Sequence, residues 1–186
     1  IATGIFMWVF AGPSNVLNFG EASLQSLFIN APNIFLFLIP AITMRSFAEE
    51  KRTGTIEILM TKPLSDFQII LAKYFAGVTL VLLSLLPTLI FYYSVVELGD
   101  TVGNIDHAST WGAYIGLFLL GSVFVAIGVF ASSITSNQVI AFMIALLFCF
   151  TLYIGFQFLA GLFAAPFDLI FMNLGIHEHY LSVQRG

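Results

Sequence analysis

The chain has 186 residues, of which 59% are hydrophobic and 9% charged, with a mean hydropathy of +1.00. Ordinary soluble domains carry about 25% charged residues, so the composition places the chain among membrane proteins. It excludes a nucleic-acid binder, which needs a clustered excess of Lys and Arg. A lone cysteine, Cys149, excludes an internal disulfide framework and a Cys-based metal site, and reads as a small buried hydrophobe.

Five apolar segments follow in chain order. Residues 1–10 (IATGIFMWVF) read as the end of a first span. Ten helical residues rise about 15 Å, half of the ~30 Å hydrocarbon core, and they lack the positively charged flank of a signal peptide. A polar loop with the turn signal GPSN comes next, with a short helix expected around 21–28. The second span is expected at 32–47. Pro32 suits its first turn, where a missing N–H costs nothing, and Pro40 predicts a kink.

The third span is expected at 67–96. Ser65 and Gln68 have the spacing of a capping box, and Leu64 and Ile69 that of a hydrophobic staple. A helix of that length rises about 45 Å, so it must project, tilt or bend at Pro87. Lys73, near its start, has the reach to snorkel to the interface. An acidic loop at 97–110 leads to a fourth span at 111–134 and a fifth at 139–159. The connection TSNQ between these is so short that they should be antiparallel neighbours. Gly112 and Gly116 form a GxxxG pair, which either permits close helix packing or is packing filler. Pro166, Asp168 and Asn173 interrupt the remaining apolar stretch, so 160–182 suits short interfacial or re-entrant helices.

Charge fixes the expected topology. Five of the six Lys and Arg (Arg45, Lys51, Arg52, Lys62 and Lys73) lie between 45 and 73. The positive-inside rule puts this segment in the cytoplasm and the loops at 11–31 and 97–110 outside. With Glu49, Glu50, Glu57 and Asp66, it holds nine charges. At about 2.5–3.5 kcal/mol each in mid-bilayer, they would together cost roughly 25 kcal/mol. The segment 48–66 is therefore expected to be a cytoplasmic excursion.

The chemistry that is missing narrows the function. No P-loop, HExxH or G-x-S-x-G motif occurs. The sequence HEH at 177–179 lacks ordinary zinc spacing, and no metal site is expected. The spans carry no Asp, Glu or His near their centres, where ion-driven transporters place ion ligands. What remains is a multi-span protein whose one charge-dense feature faces the cytoplasm, where a partner can supply energy.

At this point the residues resemble a known family. The stretch MRSFAEEKRTGTIEILMTKPLSDFQIILAKYFA (44–76) is similar to the signature of type-2 ABC export permeases through Glu49, Glu50, Gly54, Thr55, Glu57, Leu59, Thr61 and Pro63. FLIPAITMRSF, SNQVIAF and LGDTVGNID resemble, more narrowly, the gliding-motility-associated permeases of Bacteroidetes-type bacteria. The resemblance implies an all-α, polytopic fold of six spans, here with the first span truncated and the last missing. It implies a single transmembrane domain in the bacterial inner membrane and no catalysis by this chain. It also implies partners: a cytosolic ABC ATPase dimer that uses ATP and Mg, a second permease copy or sister permease, and membrane lipid. The chain itself is expected to bind no cofactor.

The ATPase-coupling residues implied are Glu49, Glu50, Gly54, Thr55, Glu57, Leu59, Met60 and Pro63. Physically, Gly54 suits a left-handed helix stop, and Thr55 suits the cap of a new helix. Glu57 falls in that helix's first turn, where the dipole favours an acid. Ile56, Ile58, Leu59 and Met60 make the helix apolar, and Pro63 stops it. Glu49 and Glu50 serve either as a docking surface or as partners for Arg45 and Arg52 at helical spacing. A membrane anchor in a motility or envelope machine is the alternative function, and an unaided channel a remote third.

Overall fold

The structure is a computed structural model that describes residues 24–61, 63–98, 107–162, 175, 176 and 180. Among the described residues every regular element is helical. In chain order these are α1 (Gln25–Thr43), α2 (Ala48–Thr53), α3 (Thr55–Met60), α4 (Asp66–Leu85), a 3₁₀ turn (Leu86–Thr88), α5 (Leu89–Leu98), α6 (His107–Ile134), α7 (Gln138–Phe150), a π-helical turn (Thr151–Gly155) and α8 (Phe156–Leu162). Among the described residues four helical stretches are long and apolar enough to cross a membrane: Gln25–Thr53, Asp66–Glu97, His107–Ile134 and Gln138–Leu162. The expected remnant at 1–10, the loop at 11–23 and nearly all of 163–186 lie outside the described residues.

The centre of the bundle is α1 against α6, with α4 and α7 packed on its flanks. The buried face of α1 runs in two rows with four-residue spacing, Leu27, Ala31, Phe35, Ile39 and Thr43 beside Phe28, Pro32, Leu36 and Pro40. That spacing keeps one helix face turned to one neighbour. Opposite it, α6 buries Leu117, Leu120, Phe124 and Val125. The other flanks expose apolar side chains, such as Phe37, Phe75, Leu83, Met143 and Leu147. In water such surfaces would be a liability, whereas in lipid they are ordinary.

Because lipid tails are as apolar as leucine, helix association in a bilayer depends on close packing and small residues. Three glycines supply it. A Cβ on Gly77 of α4 would lie 2.6 Å from Val125 Cγ1, and one on Gly121 of α6 would lie 2.7 Å from Val81 Cγ1. A Cβ on Gly128 would overlap the Thr43 side chain. These glycines seat α6 against both α1 and α4. Gly116 of the GxxxG pair is buried and Gly112 half-buried.

Several boundaries differ from the sequence reading for identifiable reasons. The helix of the second span begins at Gln25, not at 32, so Pro32 lies in its interior rather than its first turn. Pro32 has no N–H for the Phe28 carbonyl four residues back. That carbonyl instead accepts a hydrogen bond from Tyr180 Oη at 2.8 Å. The helix ends at Thr43, and 44–47 form a turn rather than further span. The helix of the third span starts at Asp66 behind a complete capping box. Ser65 N–H donates to Gln68 Oε1 at 3.0 Å, and Gln68 N–H donates to Ser65 Oγ at 3.4 Å. It breaks at Leu86–Thr88, around Pro87, as a 3₁₀ turn. The Tyr114 hydroxyl of α6 donates to the Thr88 carbonyl there at 3.0 Å. The fifth segment widens into a π turn at Thr151–Gly155 before α8, so it is not one regular helix. The π turn carries Tyr153, which is buried edge-on against Phe124 with ring centroids 6.0 Å apart.

Candidate functional site

The charge-dense segment folds into a helix–break–helix knuckle, α2 and α3, at one end of the bundle. Its break is Gly54, with φ +73° and ψ 2°, the left-handed conformation that a Cβ disfavours. Gly54 is at once the C-cap of α2 and the N-cap of α3. Thr55 is therefore not the cap the sequence suggested. It is the first residue of α3, and its hydroxyl lies 3.0 Å from the Thr53 hydroxyl instead of bonding to the α3 amides.

Two neighbouring spans fasten the knuckle. Ser132 of α6 has no exposed surface, and its hydroxyl makes three bonds to the α1–α2 turn. It accepts from Phe47 N–H at 2.9 Å and Ala48 N–H at 3.0 Å, and it donates to the Met44 carbonyl at 2.9 Å. One donor and two lone pairs are all a hydroxyl has, so the group is saturated. In effect Ser132 caps α2 from another helix, because α2 has no capping side chain of its own.

From the other side, Lys73 of α4 donates from Nζ to the Ser46 carbonyl and to Glu50 Oε1, both at 2.6 Å. The same ammonium lies 4.7 Å from the centroid of the Phe47 ring. So Lys73 does not merely reach for the interface. It closes the knuckle onto the third span. Glu50 is neither a free docking acid nor the partner of Arg45 or Arg52. Its ion pair, the one found among the described residues, is with Lys73. Its second oxygen, Oε2, is buried without a hydrogen-bond partner among the described residues. Lys51 adds a further tie by donating to the Ser133 carbonyl.

The short helix α3 splits its apolar residues between two faces. Ile56 and Leu59, three apart, are half-buried and line a groove of about 470 Å³. The groove also takes in Ile69, Tyr74, Val129 and Phe130 from α4 and α6. Met60 also borders the groove yet is 67% exposed, and Ile58, 64% exposed, lies outside it. Glu57 and Pro63 are exposed and Glu49 is half-buried. Of the coupling residues selected from sequence, Gly54, Thr55, Glu57, Met60 and Pro63 are exposed, and Ile58 beside them offers further apolar surface. Glu50 is taken up by Lys73, and Leu59 is half-buried on the wall of the groove.

The sequence reading missed Ser132, Lys73 as an ion-pair partner, and the seats at Gly77, Gly121 and Gly128. A signal was present for some of them. Gly121 and Gly128 stand seven residues apart on one span, and Ser132 follows Gly128 by four. That spacing places all three on one helix face. Nothing local marks Lys73 for Glu50.

A second recess, about 640 Å³, opens on the flank of α1 between Asn30, Asn33, Phe37 and Phe142. Asn30 and Asn33 donate their amides back to the Ser26 and Ile29 carbonyls at 2.7 and 3.1 Å. No group of three or more potential metal ligands occurs among the described residues, and the HEH stretch at 177–179 lies outside them.

In comparison with known families, the model of the ABC-2 family transporter proteins matches residues 14–181. Neither the curated proteins nor the solved structures contain a significant match. The matched region takes in the whole described bundle, knuckle included. The chain belongs to the ABC-2 transporter family, as the multi-span permease component of an ABC transporter.

Proposed function

We propose that the α2–α3 knuckle is the cytoplasmic surface on which the ABC ATPase docks. Through it the chain couples ATP-driven motion to export across the bacterial inner membrane. One observation carries this reading: a charged, doubly fastened knuckle at one end of an otherwise apolar bundle, presenting Glu57, Ile58 and Met60 to solvent. An apolar pair beside an acid suits a groove with a basic rim on the partner. ATP and Mg belong to that partner, and this chain contributes contact rather than catalysis.

The asparagine-bearing flank of α1 supports a second permease copy or sister permease. Polar side chains in a membrane span turn to protein or water rather than lipid, and Asn30 and Asn33 line a recess that the described residues leave open. A role in gliding motility is the narrower proposal, supported by the similarity of FLIPAITMRSF, SNQVIAF and LGDTVGNID to permeases of that kind.

The test is Glu57→Lys in the full-length protein expressed with its ATPase. Loss of ATPase copurification with the bundle still folded supports docking at α3. Unchanged assembly and unchanged ATP hydrolysis contradict it. Recovery of envelope components with no ATPase would favour the anchor function instead.

A further inference from the structure

The knuckle is joined covalently to α1 and α4, the spans that precede and follow it. Its polar contacts tell a different story, because much of its anchoring runs to α6, more than eighty residues away in sequence. Ser132 Oγ holds the turn at three points, on the Phe47 and Ala48 amides and the Met44 carbonyl. All of these are backbone groups, so the grip fixes the path of the chain and not merely a side chain. One turn earlier on α6, Gly128 leaves no room for a Cβ beside Thr43, the last residue of α1. One residue later, the Ser133 carbonyl takes the Lys51 ammonium. Gly128, Ser132 and Ser133 thus seat the end of α6 against the α1–α2 junction by contact and by hydrogen bond.

A hydroxyl saturated by three backbone partners and closed to water does not slide. Breaking it leaves two donors and an acceptor buried without partners. Interfaces of this kind move as units or switch between discrete arrangements, because packed cores are not continuously deformable.

We infer that Ser132 is the positioning residue that makes α6 move as one body with the knuckle, so that a push on α2–α3 is delivered to the centre of the bundle and not only to the two covalently attached spans. The inference rests on the reading of the knuckle as the ATPase contact, and its test separates the two.

The experiment uses the full-length permease with its ATPase in lipid nanodiscs, with Cys149→Ala and every other native cysteine replaced in the same way. Spin labels are placed at Arg52→Cys and Ile134→Cys, and in a second sample at Arg52→Cys and Leu162→Cys. Distances are compared without nucleotide and with the ATPase trapped by ATP and vanadate. The expected result is an unchanged 52–134 distance, a shifted 52–162 distance, and a 52–134 distance that shifts once Ser132→Ala is added. Ser132→Thr, which keeps the hydroxyl, restores the fixed distance.

A 52–134 distance that changes in the otherwise wild-type protein overturns the inference. So does one that stays fixed with Ser132→Ala. If Ser132→Ala does not accumulate, the wild-type and Ser132→Thr distances decide the matter by the same criteria. A photoreactive group at Ile58 that fails to reach the ATPase would count against the docking site itself, whatever the distances show.

Discussion

Tyr180 Oη donates to the Phe28 carbonyl at 2.8 Å, and this is the carbonyl that Pro32 leaves without a helical partner. A proline in a buried helix row opens a gap in the backbone ladder, and a tyrosine 152 positions away in sequence fills it. The tyrosine is buried, and burial pushes its phenol up from the ordinary value by desolvating the charged form. The bond ties Tyr180 to the central helix. Phe28 also meets Tyr114 of α6 edge-on, with ring centroids 5.0 Å apart.

Tyr180→Phe should destabilise the protein by about 1–2 kcal/mol, the cost of an unpaired buried carbonyl. Pro32→Ala supplies the missing N–H from within the helix. In a double-mutant cycle the tyrosine substitution should then become nearly neutral. Detergent-melting temperatures of the four proteins measure this. Equal costs in both backgrounds would mean that the hydroxyl serves another partner.

Glycine substitutions should separate by position. Gly128→Ala drives a methyl into Thr43 and should cost about 1–3 kcal/mol, as overpacking of a closed interface does. Gly161→Ala meets nothing within 4 Å and lies in a helix, so it should be neutral or stabilise by about 0.5–1 kcal/mol. Thermal stability of the two proteins in the same detergent is the comparison.

At Gly54 the constraint is conformational rather than steric, since a Cβ there also meets nothing within 4 Å. Gly54→Ala should cost about 1–2 kcal/mol from the left-handed backbone alone, and Gly54→Asn less. Proteolysis near the knuckle should rise with alanine and less with asparagine. Equal protection of all three proteins would show that the break tolerates another backbone.

The pair Lys73–Glu50 makes a third kind of prediction. Lys73→Met leaves a half-buried carboxylate without its cation, and about 1–2 kcal/mol is expected once partial exposure is allowed for. Adding Glu50→Gln should recover much of the loss. The readout is thermal stability together with ATP hydrolysis in the assembled transporter. If the double variant is worse than the single, the pair is not what holds the knuckle to α4.

The all-α, membrane-spanning class was legible from composition, because the apolar runs have bilayer length. Local signals were legible as well: Gly54 as a stop, Ser65 with Gln68 as a start, and Pro87 as a break. These features depend on a few adjacent residues and need no knowledge of the neighbours. Pro32 misled for the complementary reason. Proline favours a first turn unless a distant group serves the carbonyl it abandons, and Tyr180 is invisible from Pro32. Thr55 misled because glycine can occupy both the end of one helix and the start of the next, which leaves the threonine inside. Glu50 seemed suited to Arg45 or Arg52 by helical spacing, but the turn at 44–47 and the approach of α4 bring Lys73 nearer. Ser132 carried one local mark, its place four residues after Gly128, but that spacing says nothing of its three backbone partners on the α1–α2 turn.

The docking claim is tested most directly by crosslinking from single positions in the assembled transporter. A photoreactive amino acid is placed in turn at Ile58, Met60 and Ile90. All three are well exposed, the first two on α3 and the last on α5 beyond the Pro87 break. ATPase adducts are expected from positions 58 and 60 and none from position 90. An ATPase that copurifies with the permease yet gives no adduct from either α3 position would contradict the docking claim.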